Sequence, residues 1–323
     1  TLSLIYKKLR ENPKTVIFAE GEEEVTIRAA MQWRENGYGK AILVGREDKI
    51  SQRLKALGLE NRVDDGIEIK NAYINEISED YIDFMYEKLQ RKGYLRRDCI
   101  REIKNDRNAF ASIMLEKGEG DILITGLTRS YSSCLKSLMK IVGPKKNERV
   151  FGVTIAVGEH NRTVFLSDTA VHIEPSAESL AKITESTAKI ARKMGEEPRF
   201  ALLSFSNFGN PTHEKTKVIR DALEILEKKS VNFEVDGDLT PDIALNDELL
   251  KIYPFTKLTS AANCLVMPSL ESANISGKIL KELGGGTLIG PILSGLDKPA
   301  QIVPMGSSVS EILNITAISS VEE

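Results

Sequence analysis

Short apolar runs alternate with amphipathic stretches along most of the chain, and this alternation predicts a layered α/β fold. The runs are too short for buried helices, and most end at a glycine, a proline or a polar cluster, as buried strands do. The predicted strands are Thr15 to Ala19, Ala41 to Val44, Asp121 to Thr125, Phe151 to Val157, Thr163 to Leu166, Phe200 to Phe205, Asn263 to Met267 and Thr287 to Gly290.

Amphipathic helices are predicted between these strands from apolar residues that recur at helical spacing. The clearest runs from Ser176 to Met194, where Ser176 is a suitable N-cap and Gly195 a suitable stop. The others include Val25 to Met31, Lys49 to Leu57, Asp80 to Lys92, Asn108 to Lys117, a helix ending near Ile141 and one ending at Leu283. Two successive α/β layers follow from this order, and the loop at residues 143–148 is the predicted crossing between two domains.

One strand-to-helix junction is a candidate anion site. Ser204, Ser206 and Asn207 lie at the end of the Phe200 to Phe205 run. The break at Gly209-Asn210-Pro211 predicts a helix that starts there, with Asn210 as N-cap and proline in the first turn. Open α/β sheets bind anions at such strand ends, beside helix N-termini. The alternative is an ordinary turn whose polar side chains satisfy the loop.

Two other strand ends carry candidate chemistry. Thr128 and Arg129 follow the Asp121 to Thr125 strand, and hydroxyl and guanidinium groups at that place can bind phosphate. The alternative is a helix-capping loop with a solvated Arg129. Asp168 could orient a substrate or act as a base, and the alternative is a turn aspartate.

Composition and charge exclude several functional classes. With 41% apolar residues, 28% charged residues and a net charge of −3, the chain resembles a globular protein and offers no basis for binding nucleic acid or an anionic membrane. No apolar stretch approaches the ~18 residues of a membrane span. Three widely separated cysteines suggest reduced thiols in the cytoplasm. Because the sequence begins at Thr1, we expect a processed product or a piece of a longer protein.

Metal and nucleotide motifs are missing from the sequence. His160, His172 and His213 have no metal-binding spacing, and the Asp236-Gly-Asp238 run lacks the distal glutamate of a calcium loop. The glycines at 284–286 precede a strand instead of following one, which is the wrong order for a dinucleotide fingerprint. A dehydrogenase would need a cofactor loop and metal-binding aspartates that the sequence does not offer.

Several blocks in one order resemble the phosphotransacetylase family, which exchanges acetyl between coenzyme A and phosphate. They are Asp168-Thr-Ala-Val, Pro175-Ser-Ala-Glu-Ser-Leu-Ala, Glu197-Pro-Arg-Phe-Ala-Leu-Leu-Ser-Phe-Ser, Asp236-Gly-Asp, Ala262-Asn-Cys-Leu-Val-Met-Pro and Ile289-Gly-Pro-Ile-Leu-Ser-Gly-Leu-Asp-Lys-Pro. The resemblance implies two α/β domains with a cleft between them, a dimer, and a fold shared with isocitrate and isopropylmalate dehydrogenases. It places residues 1–148 with 297–323 in the first domain, to which the last strand and helix return, and 149–296 in the second.

The chain departs from the active members of that family near its end. They carry a Ser-Arg pair that lines the phosphate site and a nearby aspartate that acts on the thiol of coenzyme A. Pro304 and Met305 stand at the positions of the pair here, and Glu311 stands at that of the aspartate. A methionine cannot clamp a dianion. The resemblance therefore assigns no catalytic residue to this chain.

With these substitutions the chain resembles the C-terminal module of hybrid bacterial malic enzymes. In that family the module binds acetyl-CoA and inhibits the attached dehydrogenase. The resemblance implies an acetyl-CoA-binding regulatory domain in a homodimer or higher homo-oligomer, with NADP and a divalent metal only in the absent malic-enzyme portion. The alternative is an active phosphate acetyltransferase that recruits Arg129 in place of the missing arginine. The residues expected to bind the CoA ester are Thr128, Arg129, Ser204, Ser206, Asn207, Asn274, Ser276 and Met305.

Overall fold

The structure is a computed structural model that describes residues 2–62, 66–71, 77–158, 162–284 and 286–320. It contains two compact units, Thr1–Lys146 with Leu296–Glu323 and Asn147–Gly295. Each unit holds one β-sheet, so the predicted α/β class with two layers is confirmed. Residues 159–161, between the predicted strands Phe151 to Val157 and Thr163 to Leu166 and with His160 among them, lie outside the described residues.

The first unit is built around a five-stranded parallel sheet in the order β11-β4-β1-β2-β3. Its strands are β1 (Val16–Phe18), β2 (Ala41–Val44), β3 (Ile67–Lys70), β4 (Ile122–Thr125) and β11 (Ala300–Ile302). Its helices are α1 (Leu2–Glu11), α2 (Glu24–Glu35), α3 (Glu47–Ala56), α4 (Glu79–Leu89), α5 (Arg96–Asn105), α6 (Arg107–Glu116), α7 (Tyr131–Ile141) and α13 (Val309–Ser319). Short 3-10 turns occupy Glu60–Arg62 and Gln90–Lys92.

The central strands of this sheet are buried on both faces, as their continuous apolar runs predict. Every residue of β1, β2 and β4 is buried. The chain leaves β1 towards β2 and β3 on one side and later adds β4 and β11 on the other. The strand order therefore reverses between β1 and β4, the place where open parallel sheets usually bind ligands.

The second unit has a six-stranded mixed sheet in the order β10-β5-β6-β9-β7-β8. Its strands are β5 (Phe151–Val157), β6 (Thr163–Ser167), β7 (Arg199–Leu203), β8 (Glu234–Leu239), β9 (Cys264–Val266) and β10 (Thr287–Ser294). Its helices are α8 (Ala177–Lys193), α9 (Glu214–Lys228), α10 (Pro241–Ala244), α11 (Asp247–Leu250) and α12 (Leu270–Leu283). Strands β6, β9, β7 and β8 run parallel, so their carboxyl ends share one edge.

One predicted helix start is wrong. Helix α9 begins at Glu214 with His213 as its N-cap, and the His213 Nδ1 accepts from the backbone N–H of Lys215 at 3.1 Å. Asn207 and Asn210 instead exchange backbone hydrogen bonds of 3.1 Å that close a turn ahead of the helix. The preceding strand also ends at Leu203, before the polar residues begin.

Most other predicted elements are confirmed with small shifts at their ends. Ser176 caps α8 by accepting from the backbone N–H of Ser179. Gly93 follows the predicted helix at Asp80 to Lys92 with φ of 86°, a left-handed stop. The strand that begins at Thr287 continues beyond Gly290 to Ser294. Over the described ranges, no helix combines the length and the apolar character that crossing a bilayer requires.

Candidate functional site

The carboxyl ends of β1, β4 and β11 bring three polar loops to one edge of the first sheet. Glu20 follows β1, Gly126 to Arg129 follow β4, and Pro304 to Ser308 follow β11. The first two loops flank the reversal of strand order. Backbone bonds fix Glu20 at that point, because Ala19 N donates to Ile124 O of β4 and Gly21 N donates to Val44 O of β2.

The Glu20 carboxylate is buried in the loop after β4. Its Oε2 accepts from the backbone N–H groups of Gly126 at 2.9 Å and Leu127 at 3.1 Å. Its Oε1 accepts from the Thr128 N–H at 3.1 Å and the Thr128 hydroxyl at 2.9 Å. Thr128, a predicted binding residue, therefore already directs its donors at an internal carboxylate.

Arg129 is held by an ion pair instead of being solvated. Its guanidinium Nη1 lies 2.8 Å from Asp106 Oδ1, with the two side chains 35% and 21% exposed. Asp106 also caps α6 by accepting from the backbone N–H of Asn108 at 2.9 Å. The cation that could bind phosphate in this loop is thus already neutralised by a carboxylate.

The loop after β11 contains no cationic side chain that could clamp a phosphate. Pro304 is half-buried, and Met305 is 66% exposed. Glu311 belongs to a capping box, in which its Oε2 accepts from the Ser308 N–H at 2.7 Å and the Ser308 hydroxyl at 3.0 Å. The carboxylate at the position of the family's aspartate therefore stabilises the start of α13.

In the second unit, Ser206 and Asn207 follow β7 and bond to residues at the end of the neighbouring strand β8. Ser206 is 1% exposed and donates its hydroxyl to the Asp238 carboxylate, while Ser204 Oγ lies 3.2 Å from Ser206 Oγ. Asn207 Oδ1 accepts from the N–H of Thr240 at 2.8 Å and from its hydroxyl at 3.1 Å. The three predicted residues are brought together at one sheet edge, but they do not lie at the start of the helix predicted to follow, because α9 begins only at Glu214.

Asp168 organises the loop after β6, as expected of a turn aspartate. Its Oδ1 accepts from the backbone N–H groups of Gly152 and Ala170 at 2.8 Å and of Val171 at 3.1 Å. Its Oδ2 accepts from the His172 N–H at 2.8 Å and lies 2.7 Å from His172 Nδ1. The sequence reasoning missed this aspartate–histidine pair, for which the four-residue spacing was the available signal.

Asn274 and Ser276 lie on the exposed side of α12. In the sequence they are far from the other predicted binding residues of the second unit. The Ser276 hydroxyl donates to the Ser272 carbonyl at 2.6 Å, which is ordinary back-bonding within a helix. Ser269 is the N-cap of this helix and accepts from the backbone N–H of Ser272 at 3.3 Å. The N-terminus of α12 is therefore already capped by the Ser269 side chain.

The aspartates of the Asp236-Gly-Asp238 run also have internal partners. Asp236 Oδ2 accepts from the Thr256 hydroxyl at 2.9 Å and the Lys257 N–H at 2.6 Å. Asp238 Oδ1 accepts from the Gly209 N–H at 3.1 Å. No cluster of three or more His, Cys, Asp or Glu suited to a metal ion occurs within the described ranges.

The two sheets and the polar loops at the carboxyl ends of their strands define a two-unit α/β protein. The chain belongs to the phosphate acetyl/butaryl transferase family, whose sequence model matches residues 1–320. A phosphotransacetylase from Streptococcus pyogenes has a similar solved structure, with a TM-score of 0.89 and 28% identity over 100% of this chain and 98% of that one.

Curated relatives of two kinds are similar over nearly the whole chain. An NADP-dependent malic enzyme of Rhizobium meliloti is 44% identical over 320 residues, which are 99% of this chain and 42% of that protein. A phosphate acetyltransferase of Bacillus subtilis is 29% identical over 322 residues, which are 99% of this chain and 98% of that protein. The chain thus spans less than half the length of the malic enzyme, and the resemblance expected from the sequence is confirmed.

Proposed function

We propose that this chain is the regulatory, phosphotransacetylase-like part of an NADP-dependent malic enzyme, and that it binds acetyl-CoA without transferring the acetyl group. The observation that carries the proposal is the 44% identity to a malic enzyme of which the chain spans 42%. In this proposal the NADP and divalent-metal chemistry of malate oxidation belongs to the remainder of the parent protein, in the cytoplasm. We also propose that the fold is shared with isocitrate and isopropylmalate dehydrogenases, as the sequence resemblance implies.

The arrangement of the first unit supports binding without turnover. Acetyl transfer to phosphate requires a cationic clamp on the phosphate and a base for the thiol of coenzyme A. Met305 offers no charge, and Arg129 is paired with Asp106. Glu311 accepts two hydrogen bonds from Ser308, so it would have to leave the helix cap to act as a base.

The residues proposed to contact the CoA ester are the eight expected from the sequence. Met305 and Asn274 are exposed in their own units and could contact a ligand without breaking an intramolecular bond described above. Thr128, Ser206 and Asn207 would have to share their donors and acceptors with Glu20, Asp238 and Thr240. We therefore expect Asn274 and Met305 to contribute more to affinity than these three.

Helix α12 supports the proposed homo-oligomer. Ala273 is its one buried residue among those described, while Ile275, Ile279 and Leu283 are 54%, 55% and 82% exposed. Contiguous exposed apolar surface on a stable protein is typical of an interface. An allosteric role would require acetyl-CoA to prefer one arrangement of the oligomer by about 1–3 kcal/mol of coupling free energy.

A working phosphate acetyltransferase is the second candidate, supported by the likeness to the Bacillus subtilis enzyme over 98% of its length. It would require Arg129 to leave Asp106, 2.8 Å away, and turn to the phosphate. The Arg129→Ala variant separates the two candidates, because it would abolish turnover in an enzyme that depends on this guanidinium.

The test is isothermal titration of the chain with acetyl-CoA, run beside an assay for acetyl phosphate formation from acetyl-CoA and phosphate. The proposal predicts binding without turnover, and inhibition of malate oxidation by acetyl-CoA in the full-length protein. Asn274→Ala should weaken binding several-fold, whereas Arg62→Ala, whose guanidinium pairs with Glu35, should not. Turnover comparable to that of a phosphate acetyltransferase would refute the proposal, and unchanged affinity would remove Asn274 or Arg129 from the binding set.

A further inference from the structure

The loop of Gly126, Leu127 and Thr128 forms a compact oxyanion site. Three successive backbone N–H groups and one hydroxyl converge on two carboxylate oxygens, at distances between 2.9 and 3.1 Å. Successive N–H groups that converge in this way form a concave nest for anions. Such loops at the strand-order reversal of a parallel sheet commonly bind the phosphate or carboxylate of a ligand.

The occupant of this nest is the chain's own Glu20. Its side chain reaches across from the end of β1, 106 residues earlier in the sequence, and is 3% exposed. No cationic side chain in the described part of the chain forms an ion pair with it. Because a buried carboxylate without a counter-ion is costly, the backbone dipoles and the Thr128 hydroxyl must supply the stabilisation.

The Glu20 carboxylate also influences a buried thiol beneath the nest. Thr125 donates its hydroxyl to Asn108 at 2.6 Å, and the Asn108 amide lies 3.4 Å from the Cys134 thiol. Burial raises the pKa of Cys134, and the nearby Glu20 carboxylate raises it further. The Glu20 carboxylate in the nest therefore lies close enough to the buried Cys134 to influence its ionisation.

We propose that the Gly126–Thr128 loop is an oxyanion-binding site that the protein fills with the Glu20 carboxylate, and that a small carboxylate ion takes its place when this side chain is removed. The Glu20→Ala substitution deletes a carboxymethyl group, which corresponds in size and charge to one acetate ion. We expect the three N–H groups to stay in place in that variant, since β4 remains paired with β11 and Val303 N donates to Thr125 O directly before the loop. The proposal involves no CoA ester, and its test is independent of the proposed function.

The test measures thermal stability in sodium acetate against sodium chloride of equal ionic strength. Glu20→Ala should lower the Tm by about 5 °C or more, because several charge-assisted hydrogen bonds are lost. Acetate at about 100 mM should restore about 2 °C or more of this loss, and neutral acetamide should restore none.

The matched controls are the wild type and Glu22→Ala. Glu22 lies two residues from Glu20, but its carboxylate is bonded to the backbone N–H and the guanidinium of Arg46. Acetate should raise the Tm of neither protein. A crystal structure of Glu20→Ala grown in acetate should show the ion bonded to the N–H groups of Gly126, Leu127 and Thr128.

Two results would overturn the proposal: acetate stabilising all three proteins equally, or acetate failing to stabilise a folded Glu20→Ala. If that variant does not fold, Glu20→Gln provides the test through hydrogen–deuterium exchange of the peptide that contains residues 126–128. Loss of the charge should speed exchange of these amides by about tenfold or more, which corresponds to 1.4 kcal/mol. Unchanged exchange there would be incompatible with a carboxylate-filled oxyanion site.

Discussion

Gly126 shows how one residue determines the shape of a binding loop. Its φ of +120° lies in the left-handed region that other residues rarely adopt. A Cβ atom on this residue would also lie 2.2 Å from the carbonyl oxygen of Val303, the residue that follows the neighbouring strand β11. Both constraints arise because the loop turns sharply to point its N–H groups at Glu20.

Gly126→Ala should therefore lower the free energy of unfolding by about 2 kcal/mol or more, as expected for combined backbone strain and overlap. Denaturation in guanidinium chloride, followed by circular dichroism, measures the change. Gly118→Ala is the control, because its φ of +76° is also left-handed but no atom lies within 4 Å of the added carbon. Equal losses in the two variants would show that contact with Val303 contributes nothing.

At the scale of elements, Glu148 ties the longest helix of the second unit to the residues that precede β5. Its carboxylate lies 3.3 Å from Lys182 Nζ and 3.1 Å from Lys189 Nζ, and accepts from the Ser186 hydroxyl at 3.1 Å. Partial burial acts to raise the pKa of Glu148, but the hydrogen bonds and charges of Lys189 and Lys182 outweigh it and lower the pKa below its usual value.

Because the pKa is lower in the folded state, the stabilisation by Glu148 is fully present above the unfolded pKa of about 4.3 and is lost as the pH falls through the folded pKa. Glu148→Gln should thus cost about 1 kcal/mol at pH 7 and progressively less below pH ~4. Urea titrations at several pH values measure this dependence. Glu224→Gln is the control, since its pair with Lys228 is exposed, and a pH-independent loss in Glu148→Gln would contradict the argument.

Elements with a strong local pattern were predictable from the sequence, and those with a weak pattern were not. The apolar strands β1, β2 and β4 were identified because burial on both faces leaves a continuous apolar run. The apolar pattern did not predict strand β11, because the polar residue Gln301 stands at its centre. This residue is fully buried, and its amide donates to Ser319 Oγ at 3.0 Å, so its polarity is satisfied by a helix near the end of the chain.

The polar contacts of the site were less predictable than the strands. Residue types placed Thr128, Arg129 and Ser206 correctly at strand ends, but their partners Glu20, Asp106 and Asp238 lie 108, 23 and 32 residues away. No short-range spacing in the sequence indicates which residues form such pairs. The helix after β7 was placed too early for a related reason, since a Pro-containing turn resembles a helix start until its backbone bonds are known.

At the scale of the whole molecule, the apolar face of α12 yields a prediction about assembly. If Ile275, Ile279 and Leu283 form the proposed contact between copies, Ile279→Glu should convert the oligomer to monomers, because a charge would be buried at the interface. Size-exclusion chromatography with light scattering measures the mass. Leu4→Glu is the control, as Leu4 is similarly exposed at 56% on another helix. An Ile279→Glu protein that keeps the wild-type mass would exclude this face.

The order of the two units along the chain has a consequence for synthesis on the ribosome. Residues 147–295 form one unit, whereas β11 and α13, which complete the other, follow them in the sequence. A growing chain can therefore fold its later-starting unit while the sheet of the earlier one still exposes β4 as an unpaired edge. During translation, that edge stays unpaired until β11 emerges from the ribosome, and chaperone binding should concentrate there.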